Sequence, residues 1–96
     1  MLKMKALFSF LFISLLSHTA FADEAIYIET CARCHDRHVL QAPARGDELQ
    51  ARLEARGFDG LMDSIIHGRK RMPKKGTCFD CSDDDLRSTL EYMLQP

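Results

Sequence analysis

Tryptophan is absent from the chain, and two tyrosines and six phenylalanines are all the aromatic side chains it has. Four of the phenylalanines (Phe8, Phe10, Phe12, Phe21) fall in the first 22 residues, so Phe58, Phe79, Tyr27 and Tyr92 serve everything after them. No apolar run reaches the ~20 residues that a membrane-spanning helix needs. No period-2 alternation of useful length marks a strand, and no internal repeat divides the chain. Basic charge is not in excess, with 13 Lys and Arg against 14 Asp and Glu. In a chain of 96 residues these absences exclude a multidomain enzyme, a polytopic membrane protein and a nucleic-acid binder.

The apolar residues that are present are unevenly spread. Of the first 22 residues 15 are apolar, against 29 of the remaining 74. Lys3 and Lys5 precede an apolar run from Ala6 to Leu16, broken only by Ser9 and Ser14, and Ala20-Phe21-Ala22 puts small residues where a signal peptidase reads. The expectation is a Sec-type signal peptide over 1–22, cleaved after Ala22, and a periplasmic domain over 23–96 that no longer inserts in a membrane. That domain carries 11 basic and 14 acidic residues. At this size a protein core alone rarely supplies more than ~3–5 kcal/mol, so a staple is expected.

All four cysteines lie beyond the signal segment, as Cys31-Ala32-Arg33-Cys34 and Cys78-Phe79-Asp80-Cys81. Two disulfides would suit an oxidising compartment, and two C-x-x-C pairs could also hold one tetrahedral zinc. The residue after the first pair is His35, however, and C-x-x-C-H is the attachment sequence of a c-type heme. On one helical turn two sulfurs can bond the vinyl-derived carbons of one heme edge, while the histidine offers its imidazole to the iron. The second pair lacks a following histidine. It reads as a local disulfide between Cys78 and Cys81 that pins a turn, or else as a reactive dithiol.

A second axial ligand must then come from Met62, Met72, Met93, His38 or His67. Met62 belongs to the stripe Phe58, Leu61, Met62, Ile65, Ile66, and Met93 shares a stripe with Leu86, Leu90 and Leu94, so both read as core. His38 is too near His35 in the chain to reach the opposite face of the ring, and His67 reads as a solvent-facing residue at a helix end. Met72 lies on no stripe. It stands in Arg71-Met72-Pro73, a basic loop past a glycine, where a lone thioether suits an iron and the proline limits backbone freedom. His/Met ligation fills both axial sites and favours electron transfer over ligand binding.

Between these markers the chain reads as helices. One covers Asp23 to Cys34, a second Gly46 to Arg56, a third Phe58 to His67. A last one follows the capping sequence Ser82-Asp83-Asp84-Asp85 and runs to about Leu94. Cys31-x-x-Cys34-His35, Ala42-Pro43, Gly46-Asp47, Gly57, Gly68, the run Met72-Pro73-x-Lys75-Gly76-Thr77-Cys78-x-x-Cys81-Ser82-Asp83 and the closing Tyr92-Met93 together resemble a class I c-type cytochrome, more narrowly the small cytochrome c5 type. The resemblance covers nearly all of the expected mature chain, and one departure is the tryptophan that such chains often carry in the second helical segment. It implies a compact all-α fold of about four helices around one covalent heme c. It also implies His35 and Met72 as axial ligands, a Cys78–Cys81 disulfide, and a Pro43 carbonyl that accepts a hydrogen bond from the His35 ring.

The function to expect is a soluble periplasmic electron carrier, not an enzyme, that exchanges single electrons with redox proteins in transient, salt-sensitive encounters. Arg69, Lys70, Arg71, Lys74 and Lys75 surround Met72 and would steer an acidic partner to that end of the molecule. Asp83, Asp84 and Asp85 fit a helix N-terminus instead. Two rival functions remain at this point: a heme-based sensor or gas-binding protein in which Met72 dissociates, and a zinc module built on both C-x-x-C pairs. The thin apolar content further predicts that the mature chain is largely unfolded without heme.

Overall fold

The computed structural model describes residues 19–96, so most of the expected signal segment 1–22 lies outside the described residues. Helix α1 (Thr19–Ile26) passes through one π-helical turn (Tyr27–Cys31) into the short α2 (Ala32–His35). The helical path therefore crosses the expected cleavage point without a break and ends at the histidine of C-x-x-C-H. The π-turn shifts the helical phase by a residue. It turns the Tyr27 ring inward, where it is 2% exposed, and leaves its neighbour Ile28 59% exposed.

After a loop, α3 (Asp47–His67) carries a break in its middle. Gly57 has φ 77 and ψ 164, a conformation that side chains rarely adopt, so the two helical segments that meet there are those the sequence pattern separates at that glycine. The stripe on the second segment is buried at Leu61 and Met62 and half-buried at Phe58, Ile65 and Ile66. Helix α4 (Asp83–Leu94) starts with a closed capping box. The Asp85 N–H donates to Ser82 Oγ at 3.0 Å, and the Ser82 N–H donates to Asp85 Oδ2 at 3.0 Å. These contacts satisfy two otherwise free helix donors, and the three aspartates of the first turn complement the helix dipole.

Helices α1 and α3 both pack on α4, whose Leu86, Leu90 and Met93 join Tyr27, Leu49, Leu61 and Met62 in one core. Each such side chain, fully buried, contributes about 1.5–3 kcal/mol. Met62 and Met93 are thus core residues. Among the described residues there is no strand, only an isolated antiparallel bridge between Arg69 and Met72. The architecture is all-α, and its helices enclose a cavity on the side of α3 and α4 that faces Cys31 and Cys34.

Candidate functional site

Cys31 closes the π-turn, and Cys34 and His35 end α2. All three line a cavity of about 410 Å³. Its far walls are apolar: Leu61 and Ile65 come from α3, Leu86 and Leu90 from α4. The His35 Nδ1 lies 2.7 Å from the Pro43 carbonyl oxygen. A carbonyl can only accept, so Nδ1 carries the proton and donates, and Nε2 keeps the lone pair that a metal needs. Burial pushes the Cys31 thiol above its ordinary range, opposed by its contact with the Thr30 hydroxyl and helped by Cys34. That is the reverse of an activated redox thiol.

Met72 lines the same cavity. Its position comes from a two-residue turn that the sequence pattern did not disclose. The Arg69 N–H donates to the Met72 carbonyl at 3.0 Å and the Met72 N–H to the Arg69 carbonyl at 2.8 Å, with Lys70 in the left-handed region at φ 55. Gly68 lets this turn fold back on the end of α3. A Cβ there would stand 2.9 Å from the Met72 carbonyl oxygen and 3.1 Å from the Lys74 nitrogen. Neither atom belongs to a side chain that could rotate away.

The other ligand candidates lie elsewhere. His38 and His67 are exposed, with Nδ1 of His38 3.8 Å from Glu48 and Nε2 of His67 3.7 Å from Asp63, and neither lines the cavity. Met62 lies away from the cavity in the core, while Met93 is a core residue that also touches the cavity wall. Cys78 and Cys81 meet sulfur to sulfur, with Cα atoms 5.4 Å apart. Among the described residues the four cysteine sulfurs do not gather at one point, since the one close group of metal-type ligands is Cys78, Asp80 and Cys81. A single zinc on both pairs therefore has no cage.

Arg69, Lys70, Arg71 and Lys74 are exposed around Met72. Lys75 departs from the expectation of a free steering charge. It is half-buried, and its Nζ donates to the Cys81 carbonyl at 3.0 Å, bracing the C-x-x-C turn against the Met72 loop. Two cavity residues escaped the sequence reading altogether. Arg52 and Arg56 stand on the wall, and Arg56 Nη1 donates to the buried Ser64 Oγ at 2.6 Å, which in turn donates to the Gly60 carbonyl at 3.3 Å. No local signal marks that pair, because the Gly57 break decides that they meet.

Two thiols on one turn, an imidazole with its outer nitrogen engaged, and a thioether on the same apolar cavity form a donor set that fits a covalently held heme. A family model described as cytochrome C oxidase, cbb3-type, subunit III matches residues 21–93. The chain is 43% identical to a cytochrome c5 of Ectopseudomonas mendocina over 75 residues, 75% of this chain and 85% of that one. It is 42% identical to a cytochrome c5 of Azotobacter vinelandii over 66 residues, 66% of this chain and 80% of that one. Among solved structures it superposes, with a TM-score of 0.67 and 33% identity over 75% of its length and 89% of the other, on a chain of a crystal structure of an electron transfer complex of nitrite reductase with cytochrome c. With two thiols, a histidine and this likeness pointing one way, the chain belongs to the small class I c-type cytochromes of the cytochrome c5 kind, electron carriers built on one covalent heme.

Proposed function

We propose that the protein is a periplasmic one-electron carrier in which His35 and Met72 are the axial ligands and the working chain is residues 23–96, freed from a signal peptide over 1–22. The observation that carries the ligand assignment is that Met72 and His35 line the cavity that Cys31 and Cys34 also line, while the competing histidines do not. When bound, heme supplies a one-electron couple, iron passing between Fe(III) and Fe(II), with no bond made or broken on a substrate.

The chain's own residues do the rest. Cys31 and Cys34 hold the heme edge through thioether bonds. The Pro43 carbonyl takes the His35 Nδ1–H, which fixes the tautomer and strengthens donation from Nε2. Leu61, Ile65, Leu86 and Leu90 line the cavity and would keep water from a heme bound there. Arg52 and Arg56, on the cavity wall, would offer planar guanidinium donors suited to the negative carboxylates of a bound heme. Cys78 and Cys81 form a disulfide that, with the Lys75 ammonium on the Cys81 carbonyl, stiffens the segment after Met72.

Arg69, Lys70, Arg71 and Lys74 present positive charge beside the ligand loop. They suit an acidic redox protein that docks briefly, in the manner of small electron-transfer interfaces. The structural relative seen in an electron transfer complex with nitrite reductase supports a redox enzyme as the class of partner. The test is the visible spectrum of the purified protein. Sharp reduced bands with the weak far-red band of methionine-ligated ferric heme are expected, and Met72→Ala should remove that far-red band. Five-coordinate high-spin iron in the unaltered protein would point to a sensor and overturn the carrier reading.

A further inference from the structure

Among the described side chains one polar atom is buried without a hydrogen-bond partner, the Nε of Arg45. Its guanidinium carbon lies 4.4 Å from the ring centre of Tyr92 and 5.5 Å from that of Tyr27, and the two rings are 5.5 Å apart. Nη1 donates to the Tyr92 hydroxyl at 3.3 Å. The Tyr27 hydroxyl donates to the Asp36 carboxylate. A half-buried guanidinium packed against two neighbouring aromatic rings is oriented by them as much as by hydrogen bonds.

The position of these contacts along the chain gives them a role. Asp36 follows His35, and Arg45 stands two residues after Pro43, whose carbonyl holds the His35 ring. The segment 36–45 therefore leaves the Tyr27–Tyr92 pair, carries Pro43 to the imidazole, and returns to the same pair. In between, the Ala42 N–H donates to the Val39 carbonyl at 3.0 Å and His38 Nδ1 lies 3.8 Å from Glu48. His38, Leu40 and Gln41 have φ of 56, 56 and 66, and Val39 and Leu40 are 39% and 54% exposed. Glu48 Oε1 accepts from the Ala44 N–H at 2.7 Å, a second tie on the peptide that carries the Pro43 carbonyl, and the Gly46 N–H donates to the Met93 carbonyl at 3.0 Å. Arg45 lies between these two contacts and does not line the heme cavity.

We propose that Arg45, packed against the Tyr27 and Tyr92 rings, is a positioning residue for His35: it helps hold the 36–45 segment so that the Pro43 carbonyl stays on Nδ1. This rests on His35 as an iron ligand. A firm bond from Nδ1–H to the carbonyl raises the basicity of the imidazole and favours Fe(III). Loosening this packing lengthens that bond and raises the reduction potential. Simple loss of a positive charge near the iron acts the other way, since it also favours Fe(III) and so lowers the potential. Arg45→Lys separates the two, because it keeps the charge and loses the planar group that two rings can grip.

The experiment uses the heme-loaded protein and reads two quantities, the midpoint potential and the rate at which the His35 ring N–H exchanges with solvent by NMR. Arg45→Lys should raise the potential and speed the exchange several-fold. If Arg45→Lys fails to retain heme, Tyr27→Phe reads the same segment from its other end, since it keeps both rings and removes only the Asp36 tether. A variant that melts earlier yet keeps both quantities at the unaltered values would reduce Arg45 to a stabilising residue and overturn the proposal. Absence of any iron-shifted His35 ring proton in the unaltered protein would instead remove the ligand assignment beneath it.

Discussion

Gly57 and Gly68 form a natural matched pair. Their backbones are nearly the same, φ 77 and ψ 164 against φ 82 and ψ 163, in a region open almost only to glycine. An alanine at either site carries a backbone cost of about 1–3 kcal/mol. The surroundings differ. Around the Cβ position of Gly57 nothing lies within 4 Å, whereas that of Gly68 meets the Met72 carbonyl oxygen at 2.9 Å and the Lys74 nitrogen at 3.1 Å. Both of those atoms are backbone, so relief requires moving the Met72 turn itself, a further overpacking cost of about 1–3 kcal/mol. Gly68→Ala should therefore lose about twice as much stability as Gly57→Ala. At 4–8 °C per kcal/mol for a domain of this size, the gap is about 4–24 °C in melting temperature. Ferric and ferrous holoprotein should be melted side by side, with the methionine-to-iron band followed at low temperature. Gly57→Ala should keep the band at full strength, and Gly68→Ala should weaken it. Equal melting temperatures and equal bands would refute the claim that Gly68 seats the ligand loop.

Three further outcomes follow from the same geometry. Deleting both thioether anchors, in Cys31→Ala/Cys34→Ala, leaves the cavity of about 410 Å³ to collapse. At ~24 cal/mol per Å³ the upper bound is about 10 kcal/mol, comparable to the whole stability of a small domain, so circular dichroism should show most helix lost. Tyr27 has its ionisation pushed up, first by burial and then by its bond to Asp36. An acid whose folded value is raised stabilises the fold fully below its unfolded value, about pH 10, and loses that contribution as pH rises further. Unfolding free energy should thus decline on the alkaline side, and Tyr27→Phe should flatten that decline; an unchanged slope would contradict the assignment. Electron-transfer rates to an acidic redox protein should fall as salt is added, more weakly after charge removal at Arg69, Lys70, Arg71 and Lys74. Charge removal at Lys75 should show instead as lost stability, because its ammonium is engaged with Cys81.

What could be read from the sequence was carried by short-range chemistry. C-x-x-C-H specifies a heme turn within five residues, Gly57 marks the break in α3, and Ser82 with Asp85 closes its own capping box three residues apart. Met72 stood out because it interrupts a basic loop on no helical stripe. The features that escaped depend on contacts between distant segments. Arg45 meets Tyr92 across 47 positions, and Lys75 reaches a backbone carbonyl that nothing in its own neighbourhood announces. The π-turn at Tyr27–Cys31 obeys no propensity rule, since it is the packing of Tyr27 against Tyr92 and Arg45 that rewards the extra residue. The Arg69–Met72 bridge is likewise too short to leave a strand pattern.

The central claim is that Met72 is bonded to iron opposite His35. Protein carrying methyl-labelled methionine, studied by NMR in the ferrous state, tests it most directly. Iron ligation puts a methionine methyl over the heme ring, where the ring current moves its resonance far upfield. One such resonance should appear, should survive Met62→Leu, and should vanish in Met72→Ala. An upfield methyl that persists in Met72→Ala, or none at all in the unaltered ferrous protein, would contradict the assignment.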